Sequence, residues 1–257
     1  MTVADDPARG SHSRERTDFA GKIVRNRILE SVPDAEFRVI RPHLEFLPLS
    51  HHSILHEPSR NLKYVYFPNS GLISLVVAME DGKTVEAAVV GREGAAGLPS
   101  AVSLMRSPLR EVVQIPGEAF RVNVAALRRI LNSAPDLQMT LSRYAVVQGI
   151  QVAQTAACNR LHDLEQRLAR WLLMAQDRVA SASLFITHDF LATMLGTDRP
   201  TVSVAASHLQ ERKAIEYVPG AVRILNHHTL EQSACECYDV IQQFNGELGI
   251  KQQAPTV

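Results

Sequence analysis

Three cysteines, Cys158, Cys235 and Cys237, are too few for a disulfide framework in a chain of 257 residues and fit a reducing compartment. No apolar run approaches the roughly 18 residues a membrane-spanning helix needs, so no membrane partner is expected. Neither sign of charge is in excess: 27 basic and 27 acidic residues leave a formal net charge of zero, which removes long-range steering as a source of affinity for a polyanion. Histidine is missing from residues 62–124, so the strands there lack the clustered His and Glu ligands of a cupin-type metal enzyme. Neither a nucleophile elbow nor a phosphate-binding loop is present, and no enzymatic activity is expected.

What is present is a globular composition, 46% hydrophobic, in a chain long enough for two ordinary domains. Met1–Asp18 is polar and charged rather than signal-like, and reads as a disordered tail (1–18) in the cytoplasm. Lys22–Ser31 looks helical, with Ile23, Ile28 and Leu29 as its apolar positions. From His43 to Val124 short apolar runs alternate with turn chemistry: Tyr64–Phe67 ends at Pro68-Asn-Ser-Gly71, Leu72–Val77 resumes, and Glu80-Asp-Gly-Lys83 is a hairpin turn before Thr84–Val90. This pattern predicts an antiparallel sandwich or jelly roll over 19–135. Asp136 then opens a long helical run (136–158, continuing to Leu161) whose apolar positions include Leu137, Leu141, Tyr144, Val147, Ile150 and Leu161. These, with Gln154, are the expected dimerisation residues, since a long narrow stripe usually seeks a twin helix. Packing on the chain's own barrel is the alternative, and one face can do both. A second amphipathic helix carries Leu164, Leu168, Trp171 and Leu172, with Arg167 and Arg170 on a solvated basic face beside Arg160.

The most informative stretch runs from Thr187 to Arg223. Thr187 can cap a helix whose Phe190, Leu191, Met194 and Leu195 form an apolar stripe; Gly196 ends it, and Asp198 followed by Pro200 starts another. On that second helix Val202, Ala205, Ala206 and Leu209 share one side, while Pro200, Ser203, Val204, Ser207 and Glu211 share the other, with Arg199 at the tip. Short outward side chains allow close entry into a major groove, where Ser, Thr and Arg can bond base edges and phosphates. The bland alternative is a helical hairpin that only closes a core. A short hairpin turning at Pro219-Gly220 follows as a wing, completing a unit over 159–228. A single short helix from Leu230 to Phe244 and a loose tail are expected over 229–257.

This order of parts over roughly residues 35–226 resembles the Crp/Fnr family of bacterial transcription regulators, most specifically through Ile186–Leu209 and the wing, with Gly91-Arg-Glu-Gly94 and Leu164–Leu173 in similar places. The resemblance implies an α+β chain: an antiparallel jelly-roll sensor of the cyclic-nucleotide-binding type, a long dimerisation helix and a C-terminal winged helix-turn-helix. It implies a cytoplasmic homodimer that regulates transcription on palindromic double-stranded DNA, with RNA polymerase as a further partner. The implied DNA-contacting residues are Thr187, His188, Asp198, Arg199, Pro200, Thr201, Ser203, Val204 and Ser207. Arg199 matches an arginine that takes a guanine, and Thr187 and Thr201 match phosphate contacts. Pro200 stands where relatives often have glutamate and Val204 where they have arginine, so the familiar half-sites are not expected. The alternative is a regulatory protein whose helix-turn-helix mediates protein contacts only.

The candidate effector pocket is Arg92, Glu93 and Gly94 with Arg106 and Ser107. Cyclic-nucleotide binders carry Gly-Glu-x-Gly; here the acid comes one position late, and Arg106-Ser107-Pro108 lies out of register. A cyclic nucleotide is therefore not expected, no iron–sulfur centre is expected where residues 1–157 lack cysteine, and no other cofactor or metal is expected. His51, His52 and His56 read as solvated loop residues, and His227 and His228 as part of a polar loop. Cys235 and Cys237, two apart on a helix, would face apart and make no joint site.

Overall fold

The computed structural model describes residues 15–179 and 181–247. Two short helices, α1 (Arg27–Ser31) and α2 (Asp34–Ile40), precede strands β1 (Glu45–Leu49), β2 (Ile54–His56), β3 (Tyr64–Pro68), β4 (Leu72–Ala78), β5 (Thr84–Val90), β6 (Arg110–Ile115) and β7 (Gly117–Asn123). All pairings are antiparallel, in a three-stranded sheet of order β1-β7-β3 and a four-stranded sheet of order β2-β6-β4-β5. The expected roll is therefore present. Its corner requires Gly71, whose φ of +82° lies in the left-handed region and whose Cβ, if added, would sit 2.6 Å from the Ile115 carbonyl oxygen.

The helix expected over 22–31 begins only at Arg27, because Asn26 turns the chain: its side chain accepts from the Leu29 amide and donates to the Pro68 and Gly94 carbonyls. Residues 15–18, expected in the tail, belong to the fold. Arg16 pairs with Asp34 at 2.7 Å, and the buried Asp18 carboxylate accepts from the Ala20 and Lys22 amides. Residues 1–14 and 248–257, where loose tails are expected, lie outside the described residues.

After α3 (Val124–Leu131) come the long α4 (Pro135–Leu161) and α5 (Leu164–Val179), then β8 (Ser183–Leu184), α6 (His188–Leu195), α7 (Arg199–Glu211), β9 (Ile215–Val218) and β10 (Ala221–Ile224). β10 pairs with both β8 and β9, giving a three-stranded wing sheet. The single expected terminal helix is two, α8 (His227–Ser233) and α9 (Cys237–Glu247), because Asn226 caps the first through the Thr229 amide and the chain is extended at Ala234.

Two cores result. One fills the roll and includes α1 to α3 and the first half of α4. The other is built by α5 to α9 and the wing, but it also takes in Leu72, Val89 and Ile115 from the outer face of the four-stranded sheet. This explains why Leu72–Val76 is continuously buried rather than alternating: one face meets the roll interior and the other meets α5. The contact is polar as well. Trp171 Nε1 on α5 donates to Glu86 Oε1 on β5 at 2.6 Å, and Arg178 pairs with Glu93 at 2.9 Å.

Candidate nucleic-acid interface

Helices α6 and α7 form where the caps predict. Thr187 Oγ1 accepts from the Phe190 amide at 3.2 Å, Gly196 ends α6 in the left-handed conformation (φ +63°), and Asp198 accepts from both the amide (2.8 Å) and hydroxyl (2.7 Å) of Thr201. Leu191, Leu195, Val202, Ala205, Ala206 and Leu209 are buried between them. The opposite face of α7 is open: Arg199, Pro200, Thr201, Val204 and Ser207 are exposed, Val204 at 56%. Exposed valine at the centre of this face is a short apolar feature of the kind that meets a thymine methyl.

The polar groups of this face are already ordered by one another. His188 Nδ1 meets Ser203 Oγ at 2.9 Å, and its ring stacks on Tyr217 of the wing with centroids 4.0 Å apart. Ser203 and Ser207 donate to the Arg199 and Ser203 carbonyls. Arg199 lies 3.7 Å from Asp189, with both side chains mostly exposed, a pair weak enough to be exchanged for another anion. Asp198 is engaged as the cap of α7, and Thr201 as its partner. Sequence reasoning did not single out the wing residues Val218, Arg223 and Leu225, which are exposed on β9, on β10 and just after it. Arg223 is tied to Glu216 across the hairpin.

The candidate effector residues do not converge. Glu93 is 5% exposed, and its Oε1 accepts from the Gly91 amide and from Arg178 Nε of α5. Arg106 instead reaches Asn61 at 3.1 Å on the exposed side of the roll, and Ser107 Oγ accepts from the Leu109 amide. The Arg92 carbonyl accepts from the Arg27 amide at 2.8 Å. Gly91 and Gly94 permit close helix approach: a Cβ would come 2.5 Å from Arg178 Cβ at the first and 1.9 Å from Tyr144 Oη at the second. The Gly-Arg-Glu-Gly segment is thus where α4 and α5 seat on the roll.

The expected dimerisation stripe is also divided. Leu137, Leu141 and Tyr144 belong to the roll core and Val147 is buried, so the first half of α4 faces its own barrel. Gln154 donates to Cys237 Sγ at 3.1 Å. The face left open carries Met139, Val146, Ala153, Ala157 and Leu161, with Ile150 half-buried among them. These residues fall within about 40° of one line at 100° per residue.

Several smaller expectations are corrected. His56 is buried beside Glu111, with Nε2 3.5 Å from Oε2. Burial lowers the His56 pKa and pushes Glu111 up to about 7, so it disfavours the charged form of both groups. His51 and His52 are exposed and stacked, as loop residues should be, and line a cleft of about 570 Å³ with Phe185, Asp189 and Phe190 at the junction between roll and α6. Arg170 is buried and Arg167 half-buried with a guanidinium donating to the Leu195 carbonyl, because α5 lies between two layers instead of on a surface; only Arg160 of that trio is exposed. His227 opens α8 and meets Gln176 Oε1 at 2.9 Å. Cys235 precedes α9 and Cys237 begins it, so the pair is not on consecutive helical positions; both converge with Cys158 in one buried cluster.

A jelly roll and a long helix precede a winged helix-turn-helix seated against the roll. Residues 166–233 match the Crp-like helix-turn-helix domain. The fold is similar to a putative transcriptional regulator of the Crp/Fnr family from Eubacterium rectale (14% identity, 80% of this chain and 96% of the other, TM-score 0.62). It is also similar to FixK2 from Bradyrhizobium japonicum (16%, 75% and 98%, TM-score 0.65) and to the CRP-family regulator TTHB099 from Thermus thermophilus (18%, 73% and 96%, TM-score 0.60). No curated protein sequence matches the chain significantly. The chain has the Crp/Fnr fold, and its C-terminal part is a Crp-like helix-turn-helix domain. No helix among the described residues is long and apolar enough to cross a membrane.

Proposed function

We propose that this protein regulates transcription by binding a palindromic DNA site as a homodimer, with α7 of each protomer in successive major grooves. The observation that carries this is the open face of α7, where Arg199, Pro200, Thr201, Val204 and Ser207 are all exposed on a helix whose other side is fully packed. Arg199 reads a guanine, Val204 contacts a thymine methyl, and the capped starts of α6 and α7 lie against phosphates. Zero net charge means that affinity comes from these close contacts and from two copies binding together. The open face of α4 supplies the twin-helix seam, and the bound dimer recruits or obstructs RNA polymerase. Because Glu93 is buried and its Oε1 is held by Arg178 and the Gly91 amide, it is closed off from a cyclic-nucleotide ribose, and we infer that the roll transmits some other signal.

Binding-site selection from random DNA with the purified protein tests this. Enrichment of a palindrome is expected, and Arg199→Ala should cost about 1–3 kcal/mol of specific binding and relax one base position. Absence of any enriched site would leave a helix-turn-helix that serves protein contacts.

A further inference from the structure

The last turn of α4 and the start of α9 bring four metal-ligating side chains together. Cys158 Sγ lies 3.5 Å from Cys235 Sγ, Cys237 Sγ lies 3.5 Å from His162 Nδ1, and all four ligand atoms fall within 4.8 Å of one another. Four ligands arranged tetrahedrally about 2.3 Å from one ion sit about 3.8 Å apart. The three cysteines are buried and His162 is half-buried, so the centre is closed on the protein side. The local backbone explains the convergence. Cys158 and His162 are four apart at the end of a helix, hence on one face; Cys235 lies in the extended entry to α9 and Cys237 is its first residue, which turns both thiols inward.

The surroundings match an ion as well as the ligands do. His162 Nε2 lies 3.3 Å from the Glu236 carboxylate, while Nδ1 on the other side of the ring faces the thiols. This is the orientation that a carboxylate behind a metal-bound histidine enforces. Gln154 Nε2 donates to Cys237 Sγ at 3.1 Å. Three thiolates and one imidazole around a divalent ion carry a net charge of −1, and the cluster has cations to meet it. Arg170 is 3% exposed, has a buried Nε without a hydrogen-bond partner, and among the described residues makes no ion pair; it lies in coulombic range of Cys158. Arg167, also with an unpartnered buried Nε, is in the same range.

We propose that Cys158, His162, Cys235 and Cys237 bind a single tetrahedral divalent ion of the thiophilic class, zinc, which staples α9 to the junction of α4 and α5. Three soft thiolates with an imidazole favour zinc over oxygen-seeking ions. The ligand atoms are too close together for a multinuclear iron–sulfur cluster, whose cysteines stand around a cube of several atoms rather than one. The site is structural, since all four positions are taken by protein. Its place matters because the junction is where the long helix passes into the DNA-binding unit, so the ion fixes the angle between them.

The test uses the full-length, untagged chain, expressed with zinc in the medium and purified anaerobically. One zinc per chain is expected by elemental analysis, released when a mercurial blocks the thiols. Cobalt in place of zinc should give the visible absorption of a tetrahedral ion and near-ultraviolet thiolate charge transfer. Cys237→Ser should abolish stoichiometric zinc. Because that variant can fail to fold, Glu236→Ala supplies a second reading: Glu236 is 73% exposed at its side chain, so the fold should survive, while zinc affinity falls about 10–100-fold in competition with a chelating dye. Wild-type protein with no more zinc than a Cys158→Ser control would overturn the proposal. So would bound iron with inorganic sulfide, a Cys158–Cys235 disulfide in the anaerobic protein, or three thiols that titrate freely in the presence of zinc.

Discussion

Replacing Glu93 with glutamine tests how the DNA-binding unit is held on the roll. The Arg178 and Glu93 side chains are 2% and 5% exposed and 2.9 Å apart, with the arginine reaching Met174 O and Gln151 Oε1 by its other nitrogens. Glutamine keeps the volume and one acceptor oxygen but leaves a guanidinium charge in the interior without its counter-charge. Removing one partner of a buried pair typically costs about 3–5 kcal/mol, and the retained acceptor places Glu93→Gln near the lower end. Arg178→Met in the same background removes the orphaned charge and should return part of that loss, because the remaining buried glutamine is neutral and keeps the Gly91 amide as a donor to its oxygen. Urea unfolding at neutral pH, with protein concentration fixed so that dimerisation does not distort the comparison, reads both values. Hydrogen exchange should localise the change to Gly91–Gly94 and α5. A Glu93→Gln loss under about 1 kcal/mol, or a double variant no more stable than the single, would refute the assignment of this pair as the clamp.

Burial pushes Glu86 up to about 7 against the hydrogen bonds from Ser74 and Trp171, so between the ordinary 4.5 and 7 the folded state holds a proton the unfolded chain has released. Stability is therefore fully present below about 4.5 and falls as pH rises toward 7, by up to about 3 kcal/mol from this group, with a similar contribution from Glu111. Glu86→Gln should remove about half of that slope in urea titrations across this window; an unchanged slope refutes it. Gly94→Ala places a methyl 1.9 Å from Tyr144 Oη and should destabilise by about 1–3 kcal/mol or more in thermal melts, with no loss counting against the seating of α4 there. Val146→Arg, on the open face of α4, should yield a folded monomer in sedimentation, whereas Leu137→Arg should unfold the roll; a Val146→Arg dimer of wild-type affinity would move the seam elsewhere.

The recognition unit was legible because its determinants are local. Thr187, Gly196, Asp198 and Pro200 specify caps and a turn within fourteen residues, and the structure uses the first three as caps or a left-handed stop and Pro200 in the first turn of α7. The roll was legible for a related reason, since turn residues such as Asn69, Gly71 and Gly82 punctuate the strands. Less legible was which distant surfaces each helix face meets. Leu137, Leu141 and Tyr144 have the stripe of a dimer helix, yet the same spacing serves a barrel, and only the fold decides between them. Arg170 looks like a solvated arginine because nothing near it in sequence says that it is buried against Thr155 of α4. Glu93 looks like a displaced ligand contact because Arg178 is 85 residues away. The cysteine pair depends on a helix break: the single helix expected over 230–244 is interrupted between Ser233 and Cys237, and that break turns both thiols toward Cys158.

The long-range contacts share one element. Toward the roll, α5 presents Trp171 to Glu86 and Arg178 to Glu93; toward the end of α4 it presents Arg170 to Thr155 and Cys158; its Arg167 caps the last carbonyl of α6, and Asp177 accepts from Tyr238 of α9. Each of these contacts joins polar or ionisable groups largely held away from water, where an unmade bond costs more than in solvent. Sliding α5 along the sheet would break several of these at once without a substitute, whereas apolar contacts with Leu72, Val89 and Ile115 alone would tolerate a shift of register. The position of the recognition helix relative to the roll is therefore set by polar geometry more than by the apolar area it covers. The Glu93–Arg178 clamp, the Glu86–Trp171 bond and the cysteine junction are therefore the points through which a change in the roll reaches α5 and the unit that carries α7.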